Sequence, residues 1–337
     1  MIEKFLNIKN SLRNISDEEF EVIIPILASE LENVSFNYSY SDSDLLKDWN
    51  SLIKWNARVD TMASTQRVGM KLCEHFFPNF FDIENKDGNS FKSLWKADKL
   101  EKVLRWNRKS HSTPYLSELR RGIYFNYKLA KSTMYRPQMA KMVVTNLGVK
   151  RVLDPCAGWG GRMLGCIASG AEYVAFEPNT ETYQGLLKLI EFLGIEDKVR
   201  IIKDSALEMD KYDIGEFDLI LTSPPYFDLE VYSHEDTQSI KGCDTYSMWV
   251  NNFLKPLIEL STSHMKQNGW SCWNVHNVGK MKMIEDVKNI HSEYNTQKVY
   301  SVISSKRQSN RTSSDKKNSD VTICYSKKII EEKRSFF

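Results

Sequence analysis

The stretch KRVLDPCAGWGGRMLGCIASGAEYVAFEP, residues 150–178, decides how this chain folds. It opens with a short apolar run, breaks at Gly158, Gly160 and Gly161, continues through RMLGCIA and ends in a second apolar run, VAF. That order predicts a strand, a glycine turn, a helix and a second strand. The pattern then repeats. ETYQGLLKLIEFLG predicts a helix, VRIIKDS and FDLILTSPPY predict strands, MWVNNFLKPLIELSTSHMK a helix, and GWSCWNVHNV a further strand. A helix over residues 281–294 and two late strands, QKVYSVISS and DVTICYSKK, complete the alternation, with a polar loop, KRQSNRTSSDKKNS, between those strands. Strands alternating with helices imply an α/β fold with a doubly wound, mainly parallel sheet.

Upstream of this region the texture differs. Ser16 and Glu19 stand at capping-box spacing ahead of Phe20, Ile23, Ile24, Leu27 and Leu31, which repeat as on an amphipathic helix. Residues 1–127 are therefore expected to form a mostly helical N-terminal domain, and residues 128–337 the α/β domain.

In an open parallel sheet, ligands bind outside the carboxyl ends of the strands. The glycine turn lies at the first of these ends, where Asp154 offers an acceptor and Cys156, Ala157, Gly158 and Gly160 line the turn. Glycine there lets a ligand approach the backbone. The spacing is not G-x-G-x-x-G, and no G-K-[ST] follows, so neither a dinucleotide fingerprint nor a phosphate loop is present. At the second strand end Glu177 can accept two hydrogen bonds from a ribose diol. At the third, Asp204, followed by Ser205, can accept from an adenine amino group. The fourth strand runs into Ser223-Pro224-Pro225-Tyr226, two prolines and an aromatic directly behind an apolar run.

With these residues in this order, the chain resembles the S-adenosylmethionine-dependent DNA amino methyltransferases, of the cytosine-N4 and adenine-N6 type. DPCAGWGG matches their glycine motif, Glu177 and Asp204 their strand-end acids, and Ser-Pro-Pro-Tyr their [DNS]-P-P-[YFW] signature; the resemblance spans residues 134–328. It implies a seven-stranded Rossmann-like methyltransferase sheet and S-adenosylmethionine as cofactor, with no metal. It also implies a base flipped into a pocket where Ser223 and the Pro224 carbonyl accept the two protons of an exocyclic amine, while Tyr226 stacks on the base. Serine in the signature leans toward cytosine over adenine. Tyr135 and Pro137, in STMYRPQMAK, match the family's further cofactor motif.

The formal charge is only +2, so any polyanion contact must be local. Residues 96–141 hold twelve Lys or Arg against three Asp or Glu, with aromatics interleaved. Arg105, Arg108, Lys109, Arg120 and Arg121 are the expected nucleic-acid contacts there, and Lys306, Arg307 and Arg311 form a second group in the late loop. DNA is the expected partner, with RNA as the alternative; a non-catalytic nucleic-acid-binding or scaffold module is the rival from another class. The segment between the glycine turn and Ser-Pro-Pro-Tyr is too short for a target-recognition domain. Base selectivity is then expected from the helical part, the loops, or a specificity or restriction partner. The six cysteines form no CxxC pair or zinc spacing, and the amino terminus has no apolar stretch of signal or membrane length, which predicts a cytoplasmic protein.

Overall fold

The computed structural model describes residues 1–57, 67–129, 132–293, 297–303 and 321–326. Seven strands form one sheet in the order β3-β2-β1-β4-β5-β7-β6. They are β1 (Arg151–Asp154), β2 (Glu172–Phe176), β3 (Val199–Ile202), β4 (Phe217–Thr222), β5 (Met265–Val275), β6 (Gln297–Ile303) and β7 (Val321–Ser326). β1 to β5 are mutually parallel, and β7 lies antiparallel between β5 and β6. This is the doubly wound, mainly parallel, seven-stranded sheet expected from the sequence. The central β1 and β4 are almost wholly buried, as near-continuous apolar runs require when helices cover both faces. From β1 the chain winds outward through β2 and β3, then returns to β4 on the other side. The switch point therefore lies between β1 and β4, which puts the crevice beside Asp154 and Ser223.

Two element boundaries differ from expectation. β5 starts at Met265, ahead of the expected Gly269, because a bulge carries the pairing from Phe217 with Met265 to Leu219 with Trp270. The single helix expected after residue 247 is divided into Tyr246–Trp249, a π turn over Val250–Leu254, and Lys255–Ser263. Pro256 has no amide proton and crowds the carbonyl four residues back, which favours a wider turn at that point.

The chain divides into two compact units. One comprises residues 1–39, 78–133 and 228–233, and the other residues 40–77, 134–227 and 234–337. The expected boundary at 127/128 does not match this division, because residues 40–77 belong with the sheet. Leu45, Leu52, Leu72, Cys73 and Phe77 share one buried core with Val152, Leu164, Leu186 and Leu219. At Gly185 an added Cβ would sit 2.8 Å from both the Phe76 carbonyl and the Phe77 ring, so glycine there admits this close approach.

The first unit is helical, with its own core of Phe20, Ile24, Leu27, Leu31, Phe91, Trp95, Leu100, Leu104 and Ile123. Ser16 caps its helix Asp17–Glu32 by accepting from the Glu19 amide at 3.1 Å. Residues 228–233, directly after the proline motif, join this unit through Val231, which exchanges backbone hydrogen bonds with Glu84 at 3.0 and 2.9 Å. Among the described residues no helix is long and apolar enough to cross a membrane.

Candidate active site

Asp154, Glu177, Asp204 and Ser223 all stand at or just past the carboxyl ends of parallel strands, along one edge of the sheet. Their environments assign them different work. Asp154 is fully buried, and both its oxygens are occupied. Oδ1 accepts from the Cys156 amide (3.1 Å) and the Thr222 hydroxyl (2.7 Å); Oδ2 accepts from Arg162 Nε (2.6 Å) and the Tyr173 hydroxyl (2.5 Å). The expectation that this carboxylate serves as a ligand acceptor is corrected, since four protein donors saturate it. Its effect on a ligand passes through the turn, because it ties the glycine loop to Thr222, the residue before Ser223.

Arg162 completes that framework, and the sequence reading missed it. It is buried and ion-paired to Asp154, and its Nη2 donates to the carbonyls of Cys156 and, at 3.2 Å, Ala157. Burial is the largest single influence and opposes its charge, but the charge and hydrogen bond of Asp154, with Tyr173 and Tyr135, together hold the guanidinium above its ordinary value. One signal was present in the sequence. An arginine in the first turn of an otherwise apolar helix, Gly161–Ala168, sits at the wrong end of the helix dipole unless a buried anion holds it.

The glycines separate in the same way. Gly158 has φ +57° and an added Cβ would meet nothing nearer than 3.8 Å, so its outer side is open. Gly160 (φ +71°) starts the helix and packs near Leu189 and Phe77. At Gly161 a Cβ would lie 1.9 Å from the Tyr135 carbonyl oxygen, and at Gly165 it would lie 2.2 Å from that of Pro137. The close approach expected of a ligand at Gly161 is made instead by the protein's own chain. Tyr135 and Pro137 accordingly lock the helix Pro137–Leu147 against Gly161–Ala168, with the Tyr135 ring 5.2 Å from the Arg162 guanidinium.

Glu177 is buried. Its oxygens accept one backbone amide each, from Gly158 and Asn179, both at 2.9 Å. Burial pushes its carboxyl up to about 7 against the pull of those two donors. A carboxylate in this condition lacks donors, and a ribose diol supplies two. Asp204 is half-buried and accepts from the Ser205 amide (2.7 Å) and the Tyr212 hydroxyl (2.8 Å). Ser205 itself caps the following turn by accepting from Leu207. Open space at Gly158, an under-supplied acid at Glu177 and a reachable acid at Asp204 fit a nucleoside-bearing cofactor.

At the end of β4, the Ser223 hydroxyl donates to the Asn274 carbonyl at 3.1 Å. Pro224 is buried and Pro225 half-buried. Tyr226 is 8% exposed rather than open to solvent, with its ring 4.4 Å from the His276 ring at a 39° tilt. A base stacking on Tyr226 must therefore use the face away from His276 or displace it. Phe227 is buried near Tyr246 and Trp249 and has φ +41°, a region that bulky side chains avoid. In the connection after the motif, Glu235 accepts from the amide and hydroxyl of Thr180 at 3.0 and 3.1 Å, anchoring it to the helix that begins just after Glu177. Asn274, His276 and Glu235 are additions to the site that the sequence did not single out.

The expected nucleic-acid contacts divide. Arg108 is inside the fold, donating to Ile15, Ser16 and Asp17 and lying 4.4 Å from the Phe20 ring. Arg120 donates to Phe36 at 2.7 Å and lies 4.1 Å from the Tyr38 ring. Both hold the helical unit together, a correction to their expected role. Arg105 pairs with Glu21 yet is 44% exposed; Arg121 is 60% exposed and Lys109 is exposed. Lys306, Arg307 and Arg311 lie outside the described residues. Among the described residues no group of three or more His, Cys, Asp or Glu could hold a metal ion.

Strand order, glycine turn and strand-end acids together form a Rossmann-like sheet with its candidate site at the carboxyl ends of the strands. The family model described as conserved hypothetical protein 95 matches residues 129–282, less than half of the chain. No curated protein matches the sequence. Among solved structures the chain is similar to TrmN from Thermus thermophilus at 12% identity and a TM-score of 0.40, over 56% of this chain and 48% of that one. It is also similar to an rRNA methylase from Streptococcus thermophilus (11%, TM-score 0.38, 58% and 98%). A third is a SAM-dependent O-methyltransferase from Thermotoga maritima (14%, TM-score 0.40, 62% and 71%). The chain spans about half the length of the first of these. At this level of similarity none of them bears on this chain's substrate.

Proposed function

We propose that the protein transfers a methyl group from S-adenosylmethionine to the exocyclic amino group of a nucleic-acid base, with RNA as the substrate class. The polarity of Ser223 carries this reading. Its proton is directed to the Asn274 carbonyl, so its oxygen is left to accept, and an amine N–H is the donor that suits it. An aromatic amine is a poor nucleophile because its lone pair is delocalised into the ring. Acceptors on both of its protons favour a pyramidal nitrogen whose lone pair can attack. S-adenosylmethionine supplies the electrophilic methyl carbon; Glu177, Asp204 and the Gly158 backbone would hold it. Transfer would form the nitrogen–methyl bond as the sulfonium–methyl bond breaks, leaving the neutral thioether S-adenosylhomocysteine, and one amine proton would pass to solvent.

RNA is favoured because Ser223 and Pro224 must engage both amine protons, one of which a paired base has already committed. Loops and ends of structured RNA present such bases unpaired, whereas duplex DNA adds a few kcal/mol of unstacking and unpairing. DNA is the second reading, favoured by the Ser-Pro-Pro-Tyr pattern following the glycine turn and the two acids. The test is transfer of labelled methyl to total RNA and, in parallel, to DNA, with the products digested to nucleosides and identified by mass. Label in an amino-methylated base of RNA is expected. Label only in DNA overturns the substrate, and absence of cofactor binding by calorimetry overturns the enzyme reading in favour of a non-catalytic module.

A further inference from the structure

One exposed face of the helical unit carries a feature that its fold does not need. Phe125 is 67% exposed, near the end of the helix Leu116–Tyr127. Burying such a side chain would stabilise the fold, and this position forgoes that stabilisation. Its ring lies 5.5 Å from that of Trp106, on the helix Ala97–Lys109, and the Arg121 guanidinium lies 5.3 Å from the same indole. Gly122 makes the row possible. A Cβ there would sit 2.6 Å from Val103 and 3.1 Å from Trp106, so only glycine lets the two helices close until the indole lies beside Phe125 and Arg121.

Cations flank the row. Lys102 and Lys109 stand one turn to either side of Trp106 on its own helix, and both are exposed. Glu118, 3.2 Å from Arg121, is the acid facing them from the second helix, and Glu21 is occupied with Arg105. Unlike Arg108 and Arg120, Arg121 is mostly solvent-exposed.

We propose that this Arg121–Trp106–Phe125 row, with Lys102 and Lys109, is a docking shelf for single-stranded RNA. A base stacks on the exposed Phe125 ring beside the half-buried Trp106, and the cations meet the phosphates. Stacking on an aromatic suits any base, and flanking charge tracks the backbone, so the shelf binds without reading sequence. The choice of RNA rests on the proposed methyl-transfer reading; the shelf itself rests on the exposed row and the local excess of positive charge.

The test is fluorescence anisotropy of the full-length protein with a labelled mixed-sequence single-stranded RNA, for wild type, Phe125→Ala, Phe125→Tyr and Lys109→Glu. A stacked base is worth about 1–3 kcal/mol, so Phe125→Ala is expected to weaken binding roughly 5- to 150-fold, while Phe125→Tyr retains it. Lys109→Glu is expected to weaken binding and flatten its salt dependence. Circular dichroism and the thermal midpoint verify that each variant is folded. A folded Phe125→Ala that binds as tightly as wild type overturns the proposal. So does a wild type that binds no RNA but self-associates in a Phe125-dependent way, which gives the face to a second copy. Cofactor binding is measured on the same samples, so loss of the shelf with intact cofactor binding is distinguishable from failure of the methyltransferase reading.

Discussion

Burial lifts the Glu177 carboxyl to about 7, well above its ordinary 4.5, against the pull of two backbone amides that donate to it at 2.9 Å. Between those two values the native state holds a proton that the unfolded chain has lost. The group's contribution to stability therefore falls as pH rises from about 4.5 to about 7, and levels above that. Ribose hydroxyls would donate to the charged form and lower the value, so binding of S-adenosylmethionine is expected to release a proton near pH 7. Affinity should then rise with pH up to about 7 and plateau. Calorimetry in buffers of different ionisation enthalpy reads the proton directly, and Glu177→Gln is expected to abolish both the release and the pH dependence. Glu177 and Asp204 were legible in the sequence because each ends an apolar run, and a run's end in a parallel sheet is a place for a ligand. Asp154 shared that position and was misread. Nothing local reveals that Arg162, Tyr173 and Thr222 converge on it from three other elements.

The strands were legible as elements because burial on both faces writes them as unbroken apolar runs, of which FDLILT is the plainest. The helix after the glycine turn shows what a run cannot display. Gly161 was open to a ligand-approach reading, but it faces the carbonyl of Tyr135, as Gly165 faces that of Pro137, contacts set by packing with an earlier helix. Gly161→Ala is therefore expected to force Pro137–Leu147 away from Gly161–Ala168 and to destabilise the fold by about 1–3 kcal/mol, read from the denaturant midpoint. Gly148→Ala is the comparison on strain alone, because a Cβ there meets nothing within 4 Å while φ is +64°. It should cost only the penalty of a left-handed backbone, about 1 kcal/mol.

At the scale of the whole molecule, the change of texture near residue 128 correctly located the sheet but misassigned residues 40–77. An amphipathic helix announces that it has a buried face; it does not name the core that the face covers. Leu45, Leu52, Leu72 and Phe77 complete the core of the sheet unit, so a fragment of residues 128–337 lacks part of its own interior. That fragment is expected to fail to fold cooperatively, whereas one that begins at residue 40 retains those side chains. Urea unfolding followed by far-ultraviolet circular dichroism would separate them: a sigmoidal transition for 128–337 would contradict the assignment of residues 40–77 to this core.

The account turns most on Ser223, whose hydroxyl donates to the Asn274 carbonyl and, in the proposed reading, accepts from the substrate amine. The most direct measurement is the single-turnover rate of methyl transfer to RNA by Ser223→Ala and wild type at saturating cofactor, with cofactor affinity measured in parallel. Removing one acceptor worth about 1.5–3 kcal/mol should slow transfer roughly 10- to 150-fold and leave cofactor affinity within about twofold. An unchanged rate, or a loss that falls on cofactor binding instead, would contradict the role assigned to this side chain.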